Sequence, residues 1–185
     1  MKLSTAVVLS ATVALILAPA APAALPRTGN TLIVPGKSLG GVNLGTTAGK
    51  VEKAWGKTAN CEFQCLYQGT APKGGTATMA SVLLESTATG KTPTVWSVYV
   101  AAGNKLVGKN LKPNFDTPLT RFKTAKGIGI GSTGSQLTHA YHGMLKFKSG
   151  TTTIYTLKGK KQIQTQFSVV GGRVTSIVIR SHPGG

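Results

Sequence analysis

Acidic side chains are scarce in this chain: four carboxylates, Glu52, Glu62, Glu85 and Asp116, face 21 lysines and arginines, for a formal charge of +17 over 185 residues. General acid–base chemistry ordinarily needs paired carboxylates or a histidine oriented by an acid. Acids so few and so dispersed along the sequence argue against an enzyme. Aromatic residues make up only 6 % of the chain and do not interleave with the basic ones, which leaves a base-stacking platform for nucleic acid without support. No phosphate loop is found. The glycines of Gly127-Ile128-Gly129-Ile130-Gly131 read as turn and close-packing positions. His139 and His142 are a weak metal signal with no carboxylate near in sequence. No metal and no cofactor is expected.

Lys2, an apolar run from Ala6 to Ala18 and the small residues that follow have the layout of a secretory signal peptide, assigned to residues 1–23. The run is shorter than the ~20 residues that cross a bilayer, so the expectation is an exported protein with no transmembrane segment in its mature chain, secreted or cell-wall associated. Cys61 and Cys65 are the only cysteines. In an exported chain a local disulfide is the leading reading. A redox role lacks a following helix start to lower a thiol pKa.

What is present is a repeated stretch. Gly41-Val42-Asn43-Leu44-Gly45-Thr46-Thr47, running on to Ala54-Trp55, is echoed by Gly127-Ile128-Gly129-Ile130-Gly131-Ser132-Thr133, running on to Ala140-Tyr141. Thr47 and Thr133 stand at helix N-cap positions, and Gln136 completes a capping box that Lys50 leaves open in the first copy. Val51, Ala54 and Trp55, matched by Leu137, Ala140 and Tyr141, share one helix face, with Gly56 and Gly143 as stops. Helices of two or three turns need a sheet to cover.

Period-two segments supply it: 61–67, 76–85, 94–100 and 105–111 in the first half; 145–147, 152–157, 162–169 and 173–180 in the second. The fold class expected is α+β, two tandem copies of a short helix plus a four-stranded antiparallel sheet. The units are 24–36 as an N-terminal segment, 37–110 as the first repeat, 111–119 as a joint holding Pro113 and Pro118, and 120–185 as the second repeat.

The element apolar-x-apolar-Gly-x-Thr-x-x-x-apolar followed by a glycine and strands resembles the unit found twice in the secreted β-lactamase inhibitor proteins of actinomycetes. It also occurs once in the small lipoprotein of the outer-membrane β-barrel assembly machinery. The matching residues are Val42 to Thr47 with Val51 and Gly56, and Ile128 to Thr133 with Leu137 and Gly143. Thr46 and Ser132 stand where those families often have methionine. The resemblance implies two tandem helix-plus-sheet domains, each of which in the inhibitors tends to carry its own disulfide; the second half here has no cysteine.

Candidate sites follow from where the halves differ. Aligning Ile163, Thr165 and Phe167 as core-facing with Val95, Ser97 and Tyr99 places Trp96, Val98 and Val100 on the face that carries Gln164, Gln166 and Ser168 in the second half. An apolar outer face there would suit a protein contact; burial between the repeats is the competing reading. In the last strand Val174 and Val178 fall on one face and Ile177 and Ile179 on the other. Lys158, Lys160 and Lys161 form the one tight basic cluster, at an expected hairpin tip, and are candidates for an anionic polymer. The function expected is an exported non-catalytic binding protein acting on an extracellular protein or a cell-envelope component. The alternatives are an inhibitor of a secreted hydrolase such as a β-lactamase, or a basic cell-wall and polyanion binder.

Overall fold

The computed structural model describes residues 24–58, 61–85 and 92–181, so the expected signal peptide lies outside the described residues. In chain order come β1 (Leu32–Val34), β2 (Ser38–Leu39), β3 (Val42–Asn43), α1 (Ala48–Trp55), β4 (Gln64–Gln68), β5 (Met79–Glu85) and β6 (Thr94–Ala101). A hairpin follows, β7 (Asn104–Val107) and β8 (Asn110–Pro113), then a 3-10 turn at Pro118–Arg121 and β9 (Lys123–Thr124). The chain closes with α2 (Gly134–Ala140), β10 (Leu145–Ser149), β11 (Thr152–Lys158), β12 (Gln164–Val170) and β13 (Arg173–Arg180). The fold is α+β, dominated by strands, and no helix among the described residues is long and apolar enough to cross a membrane.

One seven-stranded sheet, in the order β10-β11-β12-β13-β6-β5-β4, runs through both halves, with every neighbouring pair antiparallel. Its centre is the pairing of β6 with β13, where Tyr99 lies opposite Val178. A second sheet, β3-β2-β1-β9, ties the halves again by a parallel pairing of β1 with β9. The expected strand at 105–111 is instead a hairpin outside the large sheet, turned at Gly108 with φ of +63°. Leu106 meets Leu111 across this ribbon, so the apolar run doubles back on itself. The first half therefore gives three strands to the large sheet and the second half four. β8 also takes up the start of the stretch expected as a joint.

Each helix is anchored to the sheet through the same pair of backbone bonds. Gly45 N–H donates to Val95 O (2.7 Å) and Val95 N–H to Thr46 O (2.8 Å); Gly131 N–H donates to Val174 O and Val174 N–H to Ser132 O, both at 2.8 Å. The helix starts differ as the sequence predicts. Thr133 Oγ1 accepts from Gln136 N–H and Gln136 Oε1 accepts from Thr133 N–H, a closed capping box, while Thr47 makes no side-chain cap bond. Gly56, at φ of +98°, ends α1; α2 ends at Ala140, with Tyr141 as its cap.

Both helices lie on one face of the large sheet. That face carries Tyr67, Ala80, Val100, Ile177 and Phe167 in one row across five strands, and Cys65, Val82, Val98, Ile179 and Thr165 in the next; all are buried. Val51, Trp55 and Leu137 from the helices and Ile33, Leu39, Leu119 and Phe122 from the small sheet and 3-10 turn complete the core. Trp55 packs edge-on against Tyr67 (5.5 Å between centroids) and near Phe122 (6.4 Å), and its indole N–H donates to Gly40 O at 2.9 Å. Tyr141 stacks on Phe167 at 6.0 Å. The buried Thr165 hydroxyl accepts Gly36 N–H (2.8 Å), which joins the β1–β2 turn to the sheet.

Candidate functional site

The face of the large sheet opposite the helices extends across all seven strands. Strict alternation along antiparallel strands stacks its side chains in rows. One row runs Leu145, Thr156, Gln166, Val178, Tyr99, Ser81, Leu66; the next runs Phe147, Ile154, Ser168, Ser176, Ala101, Met79, Gln68. Each crosses all seven strands. A third row, Lys158, Gln164, Arg180, Ser97, Leu83, Gln64, crosses six. The middle of this face is rich in hydroxyl and amide groups, with the apolar Leu145 and Phe147 toward one end and Leu66, Leu83 and Met79 toward the other. Beside it rises the β7–β8 hairpin, whose Leu111 and Pro113 form a recess with Tyr99, Ala101, Val170 and Ser176. Leu106 and Leu111 stay about half exposed on the ribbon.

Tyr99 sits at the centre of the face. Burial pushes its hydroxyl pKa up, and a hydrogen bond with Ser176 pulls partly the other way. The neutral phenol is thus held as a hydrogen-bonding group among Ser81, Ser97 and Ser176, with Val178 opposite.

The face assignment of β6 differs from the one expected. Val98 and Val100 are both 0 % exposed and point into the helix-side core, so neither is available to a partner. Ser97 and Tyr99, expected inside, belong to the opposite face. The cause is a β-bulge. Leu83 pairs Ser97 and the adjacent Leu84 pairs Val95, leaving Trp96 as the extra residue, half-buried. One extra residue reverses the phase of everything on one side of it, which returns Val95 to the same face as Val98. β13 repeats the feature: Ser168 pairs Ser176 and Val169 pairs Val174, with Thr175 extra. Val174 therefore shares the buried face with Ile177 and Ile179, and Val178 turns to the other face.

Val95 in β6 and Val174 in β13 make matching bonds to the loops that lead into the two helices. Strict alternation places Tyr99 inside and Val178 with Val174; the extra residues Trp96 and Thr175 reverse both placements. Their signature is an odd spacing of β-branched core residues, Val95 to Val98 and Val174 to Ile177, three apart where strict alternation keeps one face's residues an even number apart.

Lys158 ends β11 and Lys160 and Lys161 form the tip before β12, all exposed. Ile163 N–H donates to Lys160 O (3.1 Å), and Lys161 and Gln162 have φ of +51° and +57°. Two successive non-glycine residues in the left-handed region make a strained two-residue turn. Gly36 lies against Gly159, which brings the turn between β1 and β2, remote in sequence, next to this tip. Cys61 and Cys65 are bonded, with Cys65 fully buried in β4. His139 and His142 are exposed at the end of α2 with ring centroids 6.4 Å apart. Glu52 lies on α1, Glu62 in the disulfide loop, Glu85 at the end of β5 and Asp116 after the hairpin. Among the described residues no three His, Cys, Asp or Glu side chains gather into a metal-binding group.

Comparison of the chain with protein-family models, with curated protein sequences and with solved structures gave no match in any of the three.

Proposed function

We propose that this is an exported, non-catalytic binding protein whose open sheet face engages a protein or a component of the cell envelope. The observation that carries the reading is the pair of side-chain rows crossing all seven strands on the face opposite both helices. An antiparallel sheet with one face on the core leaves its other face to solvent, and its rigid strands hold the side chains there in fixed relation for a partner. Apolar ends at Leu66, Leu83 and Phe147 flank a hydroxyl-bearing centre that would hydrogen-bond a partner's polar groups.

Two tandem copies of one unit account for this face. The matched bonds of Gly45 with Val95 and Gly131 with Val174, and the matched extra residues Trp96 and Thr175, support that organisation. Two copies joined through β6 and β13 make one broad surface instead of two narrow ones. Inhibition of a secreted hydrolase such as a β-lactamase is one form such binding would take.

The test is affinity capture from culture supernatant and envelope extract with the protein and with Gln166→Arg, alongside direct assays on secreted β-lactamases and proteases. The reading expects a saturable partner lost with Gln166→Arg and kept with Lys53→Ala on the helix side. A partner retained equally by both variants would place binding elsewhere. A second reading, contact with an anionic polymer, rests on the exposed Lys158, Lys160 and Lys161 at the strained turn. Retention on such a polymer that does not weaken at high salt would count against it.

A further inference from the structure

The two edges of the large sheet are treated differently. At the β4 edge the Thr58 hydroxyl donates to Leu66 O (3.1 Å), and the Cys61–Cys65 bond ties the strand to the segment before it. At the other edge β10 pairs only with β11, and all five of its residues, Leu145-Lys146-Phe147-Lys148-Ser149, are exposed. Leu145 is 55 % and Phe147 64 % exposed, and both continue the rows of the open face. Lys146 and Lys148 occupy the opposite face, across from Tyr155 and Thr153, with the Lys146 ammonium 5.9 Å from the Tyr155 ring centroid. An edge strand offers unpaired backbone donors and acceptors to any extended chain that matches it.

We propose that β10 is a docking edge for an extended acidic segment of another protein, with carboxylates at alternate positions, which adds to the sheet as an eighth strand. The inference rests on the edge geometry; the edge shares Leu145 and Phe147 with the open face but none of the residues at that face's centre. Its charge argument is strong because no carboxylate side chain follows Asp116 anywhere in the sequence. No acid in β11, β12 or β13 therefore neutralises Lys146 and Lys148. The same lysines disfavour a second copy of this chain. Antiparallel self-pairing centred on Phe147 sets Lys146 against Lys148 of the second copy, and like charges directly opposite are destabilising. Sliding by one residue sets lysines against Phe147 and Leu145. A strand alternating Glu and Val instead places its acids over Lys146 and Lys148 and its valines over Leu145 and Phe147.

The probe is a fluorescein-labelled, end-capped peptide Thr-Glu-Val-Glu-Val-Thr, compared with Thr-Lys-Val-Lys-Val-Thr by fluorescence anisotropy. Two cross-strand charge pairs predict on the order of tenfold tighter binding of the acidic peptide at low salt. The double variant Lys146→Glu/Lys148→Glu, at exposed positions, should reverse the preference. N-methylation of alternate peptide amides should abolish binding, and amide exchange within 145–149 should slow in the complex. Gln166→Arg, on the open face, should leave peptide affinity within about twofold, which separates this site from the other. Four results would overturn the proposal: no acidic-peptide binding at millimolar concentration, equal affinity for both peptides, binding that survives N-methylation, or dimerisation through β10 in sedimentation.

Discussion

Gly40→Ala measures how rigidly the aromatic nest at the base of the first helix is packed. A methyl group built at Gly40 would lie 2.5 Å from Phe122 Cε1 and 2.9 Å from Trp55 Nε1. Neither ring has room to yield. Phe122 and Trp55 are 0 % and 1 % exposed, and the indole is further fixed by its bond to Gly40 O. Gly40 also has φ of +59°, a region where a side chain costs about 1–2 kcal/mol. Overpacking a full core adds about 1–3 kcal/mol. The sum, about 2–5 kcal/mol, is a large part of the stability of an ordinary domain.

Gly171→Ala separates the two contributions, because Gly171 has nearly the same φ, +57°, with no atom within 4 Å of the added methyl. The reduced unfolded-state entropy is common to both variants and cancels. Urea unfolding followed by tryptophan fluorescence and by circular dichroism should therefore show Gly40→Ala less stable than Gly171→Ala by about 1–3 kcal/mol, with similar m-values. Equal midpoints for the two variants would refute the packing argument, because only the backbone cost would then be at work.

Other expectations follow from local chemistry. Cys61→Ala opens a very small loop and should cost about 2 kcal/mol by the loop-entropy relation, read as a shift in urea midpoint against the oxidised protein. Thr133→Ala breaks a closed capping box and should cost about 1 kcal/mol, whereas Thr47→Ala, with no cap bond to lose, should cost clearly less in the same assay. Burial, and secondarily the charge of Glu52, pushes the Tyr67 hydroxyl up to about 12 while it donates to Gly56 O at 2.7 Å. A folded-state pKa above the unfolded value of 10.0 means full stability below pH 10 and a progressive loss as pH rises toward 12. Urea midpoints measured from pH 9 to 12 should fall less steeply in Tyr67→Phe than in the unmodified protein; equal slopes would remove Tyr67 as the source.

Much of the fold is legible residue by residue. Thr133 and Gln136 announce a helix start, and Gly171-Gly172 makes the turn between β12 and β13, with φ of +57° and +75°. The alternation of Thr165 and Phe167 with Gln164 and Gln166 gives the buried face of β12 correctly. These are short-range signals, set by backbone sterics and by which side of one strand is dry. The candidate site was less legible. Val98 and Val100 looked like an outer surface because strict alternation was carried through Trp96, where the chain holds one residue more than its neighbour strand.

The sequence by itself determined the strong positive charge, the cysteine pairing partners, the two helix starts and the mixed helix-and-strand character, since each depends on composition or on residues a few positions apart. Tertiary structure alone decided that β6 and β13 pair at the centre of one sheet, that residues 104–113 leave that sheet as a hairpin, and that Gly36 comes against Gly159. The physical reason is that strand partners are chosen by burial and register over long separations. A bulge shifts that register by one residue without changing the composition that a linear pattern reports.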